Sequence, residues 1–298
     1  MIGALDYRIA GLNIRLQIPS AWPVLPAPLY SAFRAAFTTP DVVAEFRETE
    51  RIHEVQGCLL YENSLFKVIR QDDKMYCYRG NYTQLEYYDD IRDAVVYCQQ
   101  YSLSGKGRYI TEMRRADREY TERYLMGGVG LSHIMADFRR VILHSSFVAY
   151  KGKAILFTAP SGTGKSTQAE LWHVHRPGAE VINGDRSILS VEEGHAYAHG
   201  IPLCGTSKIT KNCTLPIGAV IVLRQGSENR IRRLRGREAF VQLFSECSIS
   251  AWSREDTETV TEILSGIISS VPVYLYACRP DSSAVDDLEE TLKHTYEE

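Results

Sequence analysis

The sequence predicts an α/β protein whose second half holds a mixed, partly antiparallel sheet, preceded by a smaller, sheet-rich α+β unit. Three observations predict this: a strand-like run at 154–158 leads through a glycine-rich loop into a helical run at 165–172, β-prone runs flank Asn183-Gly184, and short stretches before residue 140 alternate between apolar and polar residues. The 298 residues exceed what one core usually organises. We therefore expect two domains, residues 1–140 and 141–298.

Composition and charge exclude several classes of protein. With 44% hydrophobic and 24% charged residues the chain is an ordinary globular protein, and a net charge of −3 provides no general attraction for nucleic acid or an anionic membrane. The seven cysteines contain no C-x-x-C pair, which fits neither a disulfide framework nor a zinc cage. The longest apolar stretch, 215–223, is about half a bilayer span. We expect a cytoplasmic protein without a signal peptide, a transmembrane helix, or a nucleic-acid or membrane partner.

The first 140 residues are predicted to be rich in strands. Alternation at 7–16 and 65–78 indicates half-buried antiparallel strands, the second run containing a turn at Asp72-Asp73. Helical spacing appears at 29–37, 40–48 and 121–142. Thirteen of the 18 tyrosines precede residue 130, which suits either sheet positions or a peptide-binding surface.

The strongest motif begins after a predicted hairpin formed by residues 146–150 and 154–158. Residues 159–166, APSGTGKS, follow a strand and open a helix, which is the context of a phosphate-binding loop. Small residues let backbone N–H groups converge on phosphates, and the helix adds its positive N-terminal end. Lys165 should reach the β- and γ-phosphates of ATP, and Ser166 should ligate Mg²⁺. The predicted nucleotide-binding residues are Ser161, Gly162, Thr163, Gly164, Lys165, Ser166 and Thr167.

Two positions depart from simple motif patterns. Ala159 replaces the first glycine of G-x-x-x-x-G-K-[ST], and its methyl group fits only if its backbone stays at negative φ. Asn183-Gly184 is a type I′ hairpin signal, so the runs on either side should be paired antiparallel strands. Asp185 follows, where its carboxylate could form the turn, meet Mg²⁺ or accept a hydroxyl proton.

The order of these features resembles a known family. His144, a hairpin, the SGTGKST loop, a helix, a strand, Asp185-Arg186, a strand and the YAHGI run at 197–201 are similar to the catalytic domain of bacterial HPr kinase/phosphorylase and related serine kinases, whose loop architecture is similar to that of phosphoenolpyruvate carboxykinase. The resemblance covers roughly residues 140–280. It implies that Asp185 is the general base and lies close to the metal, that His144 lies near Asp185 and the γ-phosphate, and that Lys165 takes part in catalysis.

Two departures limit the substrate that the resemblance implies. The family's paired acids appear here as Gly184-Asp185, and His199 stands before Gly200 where an acidic, arginine-containing signature is expected. They argue against the reverse, phosphate-using reaction and against HPr as acceptor. We expect Mg-ATP-dependent transfer of the γ-phosphate to a serine-type hydroxyl of a peptide or protein, with residues 1–140 helping to select it. A small-molecule hydroxyl kinase, a non-catalytic nucleotide-binding regulatory protein and a homo-oligomer stay open.

Two basic segments each have two possible interpretations. Residues 204–211 contain two lysines that could close over the triphosphate or the acceptor, or lie in a solvated loop. Residues 224–237 contain six arginines and one glutamate, which suits a solvated face or a contact with an acidic peptide.

Overall fold

The computed structural model describes residues 2–50, 52–63, 66–79, 97–102, 106–114, 120–205, 207–250 and 252–295. The chain divides into two compact units, Met1–Ile134 and Met135–Glu298. None of the helices in these described ranges is long and apolar enough to cross a membrane.

The first unit is built on an eight-stranded sheet in the order β1-β2-β4-β9-β8-β7-β6-β5, with β2, β4 and β9 parallel to one another and the other pairs antiparallel. A short parallel pair, β3 and β10, lies outside this sheet. The strands of this first unit are β1 (Ile2–Ile9), β2 (Leu12–Pro19), β3 (Val24–Leu25), β4 (Val42–Thr49), β5 (Cys58–Glu62), β6 (Phe66–Gln71), β7 (Lys74–Arg79), β8 (Tyr97–Ser102), β9 (Arg108–Arg114) and β10 (Tyr120–Thr121). A 3₁₀ helix covers Pro28–Phe33, and two helices follow the strands, α1 (Glu122–Gly128) and α2 (Leu131–Asp137), the second containing the division.

Several local predictions in this unit need correction. The helix predicted at 40–48 is wrong, because these residues form β4, which lies between β2 and β9 and is buried on both faces over Val42, Val43 and Ala44. Burial on both faces removes the two-residue alternation that identifies a strand. The antiparallel strands predicted at 7–16 are confirmed, but the run contains an unpredicted hairpin turn at Ala10-Gly11, where φ is 49° and 79°. The turn predicted at Asp72-Asp73 is confirmed between β6 and β7.

The other helical predictions hold only in part. Residues 29–37 form a 3₁₀ helix no further than Phe33. Residues 121–142 form α1 and α2, and a strand begins at Arg140. The described tyrosines near the start of the chain are mostly core residues: Tyr7, Tyr30, Tyr76, Tyr78, Tyr109, Tyr120 and Tyr124 are buried. Tyrosines 82, 87 and 88 lie outside the described residues.

The second unit contains a nine-stranded mixed sheet in the order β12-β11-β14-β15-β16-β19-β17, with β13 and β18 also pairing with β11. Its strands are β11 (Arg140–Tyr150), β12 (Lys153–Thr158), β13 (Glu180–Asn183), β14 (Arg186–Glu192), β15 (His195–His199), β16 (Thr214–Gln225), β17 (Arg230–Leu234), β18 (Cys247–Ser248) and β19 (Val273–Cys278). Its helices are α3 (Lys165–His175), α4 (Gly236–Phe244), α5 (Arg254–Ser270) and α6 (Ser282–Leu292), and a 3₁₀ helix follows at Lys293–Thr295.

Parallel and antiparallel pairs are combined in this sheet. Strand β16 is parallel to both β12 and β19, whereas β11 is antiparallel to β12, β13, β14 and β18. Alternate residues of β16 enter two different cores: Val220 and Val222 pack with α4 and α5, and Ile221 packs with α3 and α6. The predicted hairpin between β11 and β12 is confirmed, although β11 begins earlier, at Arg140.

The hairpin predicted at Asn183-Gly184 is wrong. Strands β13 and β14 do not turn back on each other; both are antiparallel to β11, so they run one after the other along it. The Asn183 side chain is fully buried and holds neighbouring backbone, and its own φ lies outside the left-handed region that a type I′ turn requires. Gly184-Asp185 is therefore a break within an extended segment.

Candidate functional site

The break between β13 and β14 lies beside the start of α3. The carbonyl oxygen of Gly184 accepts hydrogen bonds from two hydroxyls, from Ser146 on β11 at 2.8 Å and from Ser166 on α3 at 3.2 Å. His144 lies two residues before Ser146 on the same strand. The structure thus brings the predicted residues His144, Asp185 and Ser166 together at one place.

Residues 159–167, here called the glycine loop, leave strand β12 and enter α3. Gly162 and Gly164 have φ of 80° and 116°, a left-handed conformation that side chains rarely adopt, although an added Cβ would meet no atom within 4 Å. Ala159 lies outside that region, as its methyl group requires. Gly164 precedes α3 without a side-chain cap, so N–H groups of the first turn stay available to an anion.

Lys165 is held inside the glycine loop. Its side chain is buried, and Nζ donates to the carbonyl oxygens of Ala159 at 2.7 Å and Pro160 at 3.3 Å. Burial lowers the pKa of Lys165, while the carboxylates of Glu246 and Asp185 act in the opposite direction. An anion, whose charged oxygens are better acceptors, could therefore draw the Lys165 ammonium away from these two neutral carbonyls.

Asp185 presents a carboxylate that is about a quarter exposed. Its Oδ1 lies 3.4 Å from Nε2 of His144, and its Oδ2 accepts from Nε of Arg186 at 3.2 Å. The hydrogen bond with His144, helped by the Arg186 charge, lowers the pKa of Asp185 against the opposing effect of burial. At neutral pH the group is an ionised carboxylate that can bind a cation or accept a proton.

The other ring nitrogen of His144 contacts an acid that the sequence did not indicate. Nδ1 lies 3.2 Å from Oε2 of Glu246, whose side chain is 13% exposed. The backbone N–H of His144 also donates to the carbonyl oxygen of Glu246 at 2.9 Å. Glu246 belongs to no motif and is 102 residues from His144, so only the pairing of β18 with β11 could have revealed it.

Asn183 also had a different role from the one predicted. Its Oδ1 accepts from the backbone N–H groups of Asp185 and Arg186, both at 2.9 Å. Its Nδ2 donates to the carbonyl oxygens of Ile201 at 3.0 Å and Leu203 at 2.9 Å. A fully buried amide with all these partners fixes the backbone of Asp185 against the segment that follows β15.

The loop of residues 204–211 lies against the Asp185 side chain. A Cβ built on Gly205 would come within 3.1 Å of Cγ of Asp185, so the loop backbone approaches the carboxylate closely. Lys211 forms an ion pair with Glu180, and both lysines of the loop remain exposed. Closure of this loop over a bound molecule stays a prediction.

His199 forms hydrogen bonds in the core, and the arginine-rich segment forms an ion pair on the surface. His199 is buried, its ring nitrogens lie 2.8 Å from the Ser190 hydroxyl and 2.9 Å from the Thr214 hydroxyl, and burial lowers its pKa to about 4. This histidine is a neutral core residue rather than a member of the site. Among the arginines, Arg232 pairs with Glu238 on an exposed face.

A cavity of about 420 Å³ opens beside the glycine loop, at the carboxyl ends of the parallel strands β16 and β19. Its wall includes Gln168, which is 3% exposed and donates to Sγ of Cys278 at 3.2 Å. Ligands commonly bind at the carboxyl ends of strands in α/β sheets. The lining residues are Gly162, Thr163, Gly164, Thr167, Gln168, Leu223, Arg224, Gln225, Gly226, Cys278, Arg279 and Pro280.

No family model matches the sequence, and no curated protein matches it either. Among solved structures, the chain is similar to the Hpr(Ser) kinase/phosphatase from Coxiella burnetii, with 13% identity and a TM-score of 0.31, over 53% of this chain and 99% of that one. A similarity this small says nothing about activity, so the chemistry has to be inferred from the contacts of the site itself.

Proposed function

We propose that the protein is a phosphotransferase that binds Mg-ATP at the glycine loop and transfers the γ-phosphate to a serine-type hydroxyl of a peptide or protein. The observation that carries the proposal is the arrangement of the Asp185 carboxylate and the His144 ring beside a loop that contains a buried lysine, Lys165. Such a set combines an anion site with a base next to it. The proposed nucleotide-binding residues are Ser161, Gly162, Thr163, Gly164, Lys165, Ser166 and Thr167.

The phosphate groups would be held by the loop backbone, the start of α3 and Lys165. Lys165 now donates to two backbone carbonyls of its own loop, Ala159 and Pro160. Phosphate oxygens are charged acceptors, and hydrogen bonds to them are roughly twice as strong as those to neutral carbonyls. Binding would thus move Lys165 from the loop to the β- and γ-phosphates. The cavity beside the loop supplies space for the nucleoside.

Ser166 and Asp185 are the residues that would hold Mg²⁺. The Ser166 hydroxyl donates its hydrogen to the Gly184 carbonyl, which leaves its oxygen lone pairs free for a cation. Asp185 supplies an ionised carboxylate, and hydroxyl and carboxylate oxygens are ligands that Mg²⁺ accepts. When bound, the ion would neutralise charge on the β- and γ-phosphates.

Asp185 would also direct the acceptor hydroxyl. The hydroxyl oxygen forms a bond to the γ-phosphorus while the bond to the bridging oxygen breaks, and ADP leaves with that electron pair. The hydroxyl proton passes to Asp185. A carboxylate with a lowered pKa is a weak base, which is sufficient in a loose transition state where the proton leaves late.

The acceptor would be selected in part by the N-terminal domain that the sequence predicts, residues 1–140, because the site residues account for the nucleotide and leave the acceptor contacts unassigned. The buried tyrosines of this unit fill its core, so they do not support a tyrosine-rich binding surface. The proposal for the first unit therefore rests on the need for acceptor contacts and not on its composition.

Calorimetry with Mg-ATP tests the proposal. We expect Lys165→Ala to weaken binding by roughly 10²-fold or more, since it removes the buried cation from the loop. Lys151→Ala, which removes a half-exposed lysine paired with Glu289, is the matched control and should bind as the parent does. Equal affinity in Lys165→Ala and the parent would refute the loop assignment. Binding by the parent without phosphate transfer to any serine-containing peptide would favour the regulatory alternative.

A further inference from the structure

The last strand of the nine-stranded sheet, β17, has a neighbouring strand on one side only within the described residues. It pairs antiparallel with β19, from Arg230 opposite Ala277 to Leu234 opposite Val273, and the sheet ends there. Every second residue of such an edge strand turns its N–H and C=O groups away from the sheet, where they can pair with a further strand. The edge of β17 can therefore accept an added extended segment.

Alternate side chains of β17 belong to opposite faces of the sheet. Leu234 packs in the core with α4 and α5, whereas Ile231 packs against the core with α3 and α6. Arg233 shares the face of Ile231, two residues along the strand. Residue 235 continues the extended backbone, with φ of −142° and ψ of 156°, which places Arg235 on the same face. Arg233 and Arg235 are here called the α6-face arginines.

The α6-face arginines differ in their partners from the two arginines on the opposite face. On the opposite face, Arg230 pairs with Glu228 at 2.7 Å, and Arg232 pairs with Glu238 at 2.6 Å. The α6-face arginines are exposed, and neither forms an ion pair with any residue that the structure describes. One face of β17 is thus neutralised by the protein's own acids, and the other presents two uncompensated positive charges.

The kind of charge on this edge indicates an acidic peptide as the partner. Charged edge strands commonly prevent pairing with a second copy, because identical edges would place like charges opposite each other. That task requires charge but not arginine, and all six basic residues of 224–237 are arginines. The arginine side chain binds a carboxylate through two parallel hydrogen bonds, which lysine cannot form. A peptide would also pair with the backbone groups of the edge, which a nucleic acid would leave unpaired.

We propose that β17 is a docking strand for an extended segment of a peptide or protein that has acidic residues at alternate positions. The segment pairs with the free edge, and its carboxylates, about 7 Å apart along the chain, lie opposite the α6-face arginines as cross-strand pairs do. Docking on this strand is separate from the nucleotide site, because three strand spacings, about 14 Å, lie between β17 and β12. That the segment belongs to the phosphoryl acceptor rests on the proposed function, whereas its binding does not.

Fluorescence anisotropy tests the docking strand with the full-length protein at physiological salt and without nucleotide. The probe is a short labelled peptide in which glutamate and threonine alternate. We expect a peptide of the same composition with contiguous glutamates to bind roughly fivefold more weakly, since its carboxylates are misplaced. Of two alternating peptides, one methylated at the glutamate nitrogens and one at the threonine nitrogens, only one should bind, because a single set of N–H groups faces the edge. Equal binding of all four peptides would overturn the proposal in favour of simple charge attraction.

A matched pair of double variants tests the face of the strand. Arg233→Ala/Arg235→Ala should weaken binding of the alternating peptide by roughly fivefold or more, whereas Arg230→Ala/Arg232→Ala, which removes the same charge from the opposite face, should stay within about twofold. Equal losses in the two variants would overturn the proposal.

Two further results would also contradict the docking strand. Absence of peptide binding by the parent would leave the α6-face arginines as protection of the edge alone, and tighter binding of a single-stranded oligonucleotide, lost in Arg233→Ala/Arg235→Ala, would assign the surface to nucleic acid. Thermal melts establish that each variant is folded, and the methylated peptides decide the question on the parent protein if a variant is not. Failure of the protein to bind Mg-ATP would count against the proposed function alone, because the peptide assay contains no nucleotide.

Discussion

The two sides of the candidate site are encoded in different ways. The glycine loop is one contiguous segment, residues 159–167, between β12 and α3. The acid side consists of His144, Asp185 and Glu246, which come from β11, from the break after β13 and from the turn after α4. A contiguous motif can be recognised in the sequence, whereas the acid side forms only when β11 pairs with β14 and β18 in the folded sheet. If the proposed function is right, substitutions on the two sides should therefore separate nucleotide binding from turnover.

The largest separation is expected for Asp185→Asn. The amide keeps the shape of the side chain but removes the base and the negative charge, so turnover should fall by ~10²-fold or more while Mg-ATP affinity stays within about tenfold. Phosphate release and calorimetry measure the two quantities. Asp286→Asn, which changes an exposed aspartate on α6, is the control and should match the parent. Parental turnover in Asp185→Asn would leave this residue with only a structural role.

A smaller effect is expected for Gly205→Ala. The new methyl group would lie 3.1 Å from Cγ of Asp185 and 3.2 Å from its Oδ1, so the carboxylate or the loop must move by a few tenths of an ångström. We expect turnover to fall by roughly tenfold with Mg-ATP affinity nearly unchanged. Gly127→Ala is the control because its Cβ meets nothing within 4 Å. A loss of affinity as large as the loss of turnover would mean that the two sides are not separable.

The smallest effect is expected on the glycine-loop side, for Ala159→Gly. This change restores the first glycine of the motif, yet the backbone at Ala159 does not need it. We expect Mg-ATP affinity within about threefold of the parent and an unfolding free energy lower by about 1 kcal/mol, from the added freedom of the unfolded chain and the lost methyl group. Calorimetry and thermal melts measure both. A large gain in affinity would show that the methyl group obstructs the phosphates.

The sequence predicted features that contiguous residues form, and it missed features that residues distant in the sequence form together. The turn at Asp72-Asp73, the hairpin between β11 and β12 and the entry into α3 are local events, and short-range patterns predicted them correctly. The helix predicted at 40–48 is β4, because burial on both faces hides the alternation of a strand. Local pattern is thus informative where neighbours in sequence are also neighbours in space.

Within the site, the missing information was topological. Asn183-Gly184 has the composition of a hairpin turn, but the pairing of β13 and β14 with the same strand keeps the chain extended there. Glu246 has no sequence signal, since its contact with His144 depends on a two-residue strand, β18. The family resemblance suggested a pairing of His144 with Asp185, and their 3.4 Å separation agrees with that expectation. The second acid on the histidine could not be foreseen.

The separate origin of the two sides has a consequence for the growing chain. Synthesis proceeds from the N-terminus, so the glycine loop leaves the ribosome well before Glu246 and before β19, the strand that lies between β16 and β17. A nascent chain therefore carries the glycine loop while Glu246, the second carboxylate at the His144 ring, is still unmade. The acid side is complete only after Glu246 has been made and β18 has paired with β11, so the proposed transfer reaction could begin only after translation has passed this strand.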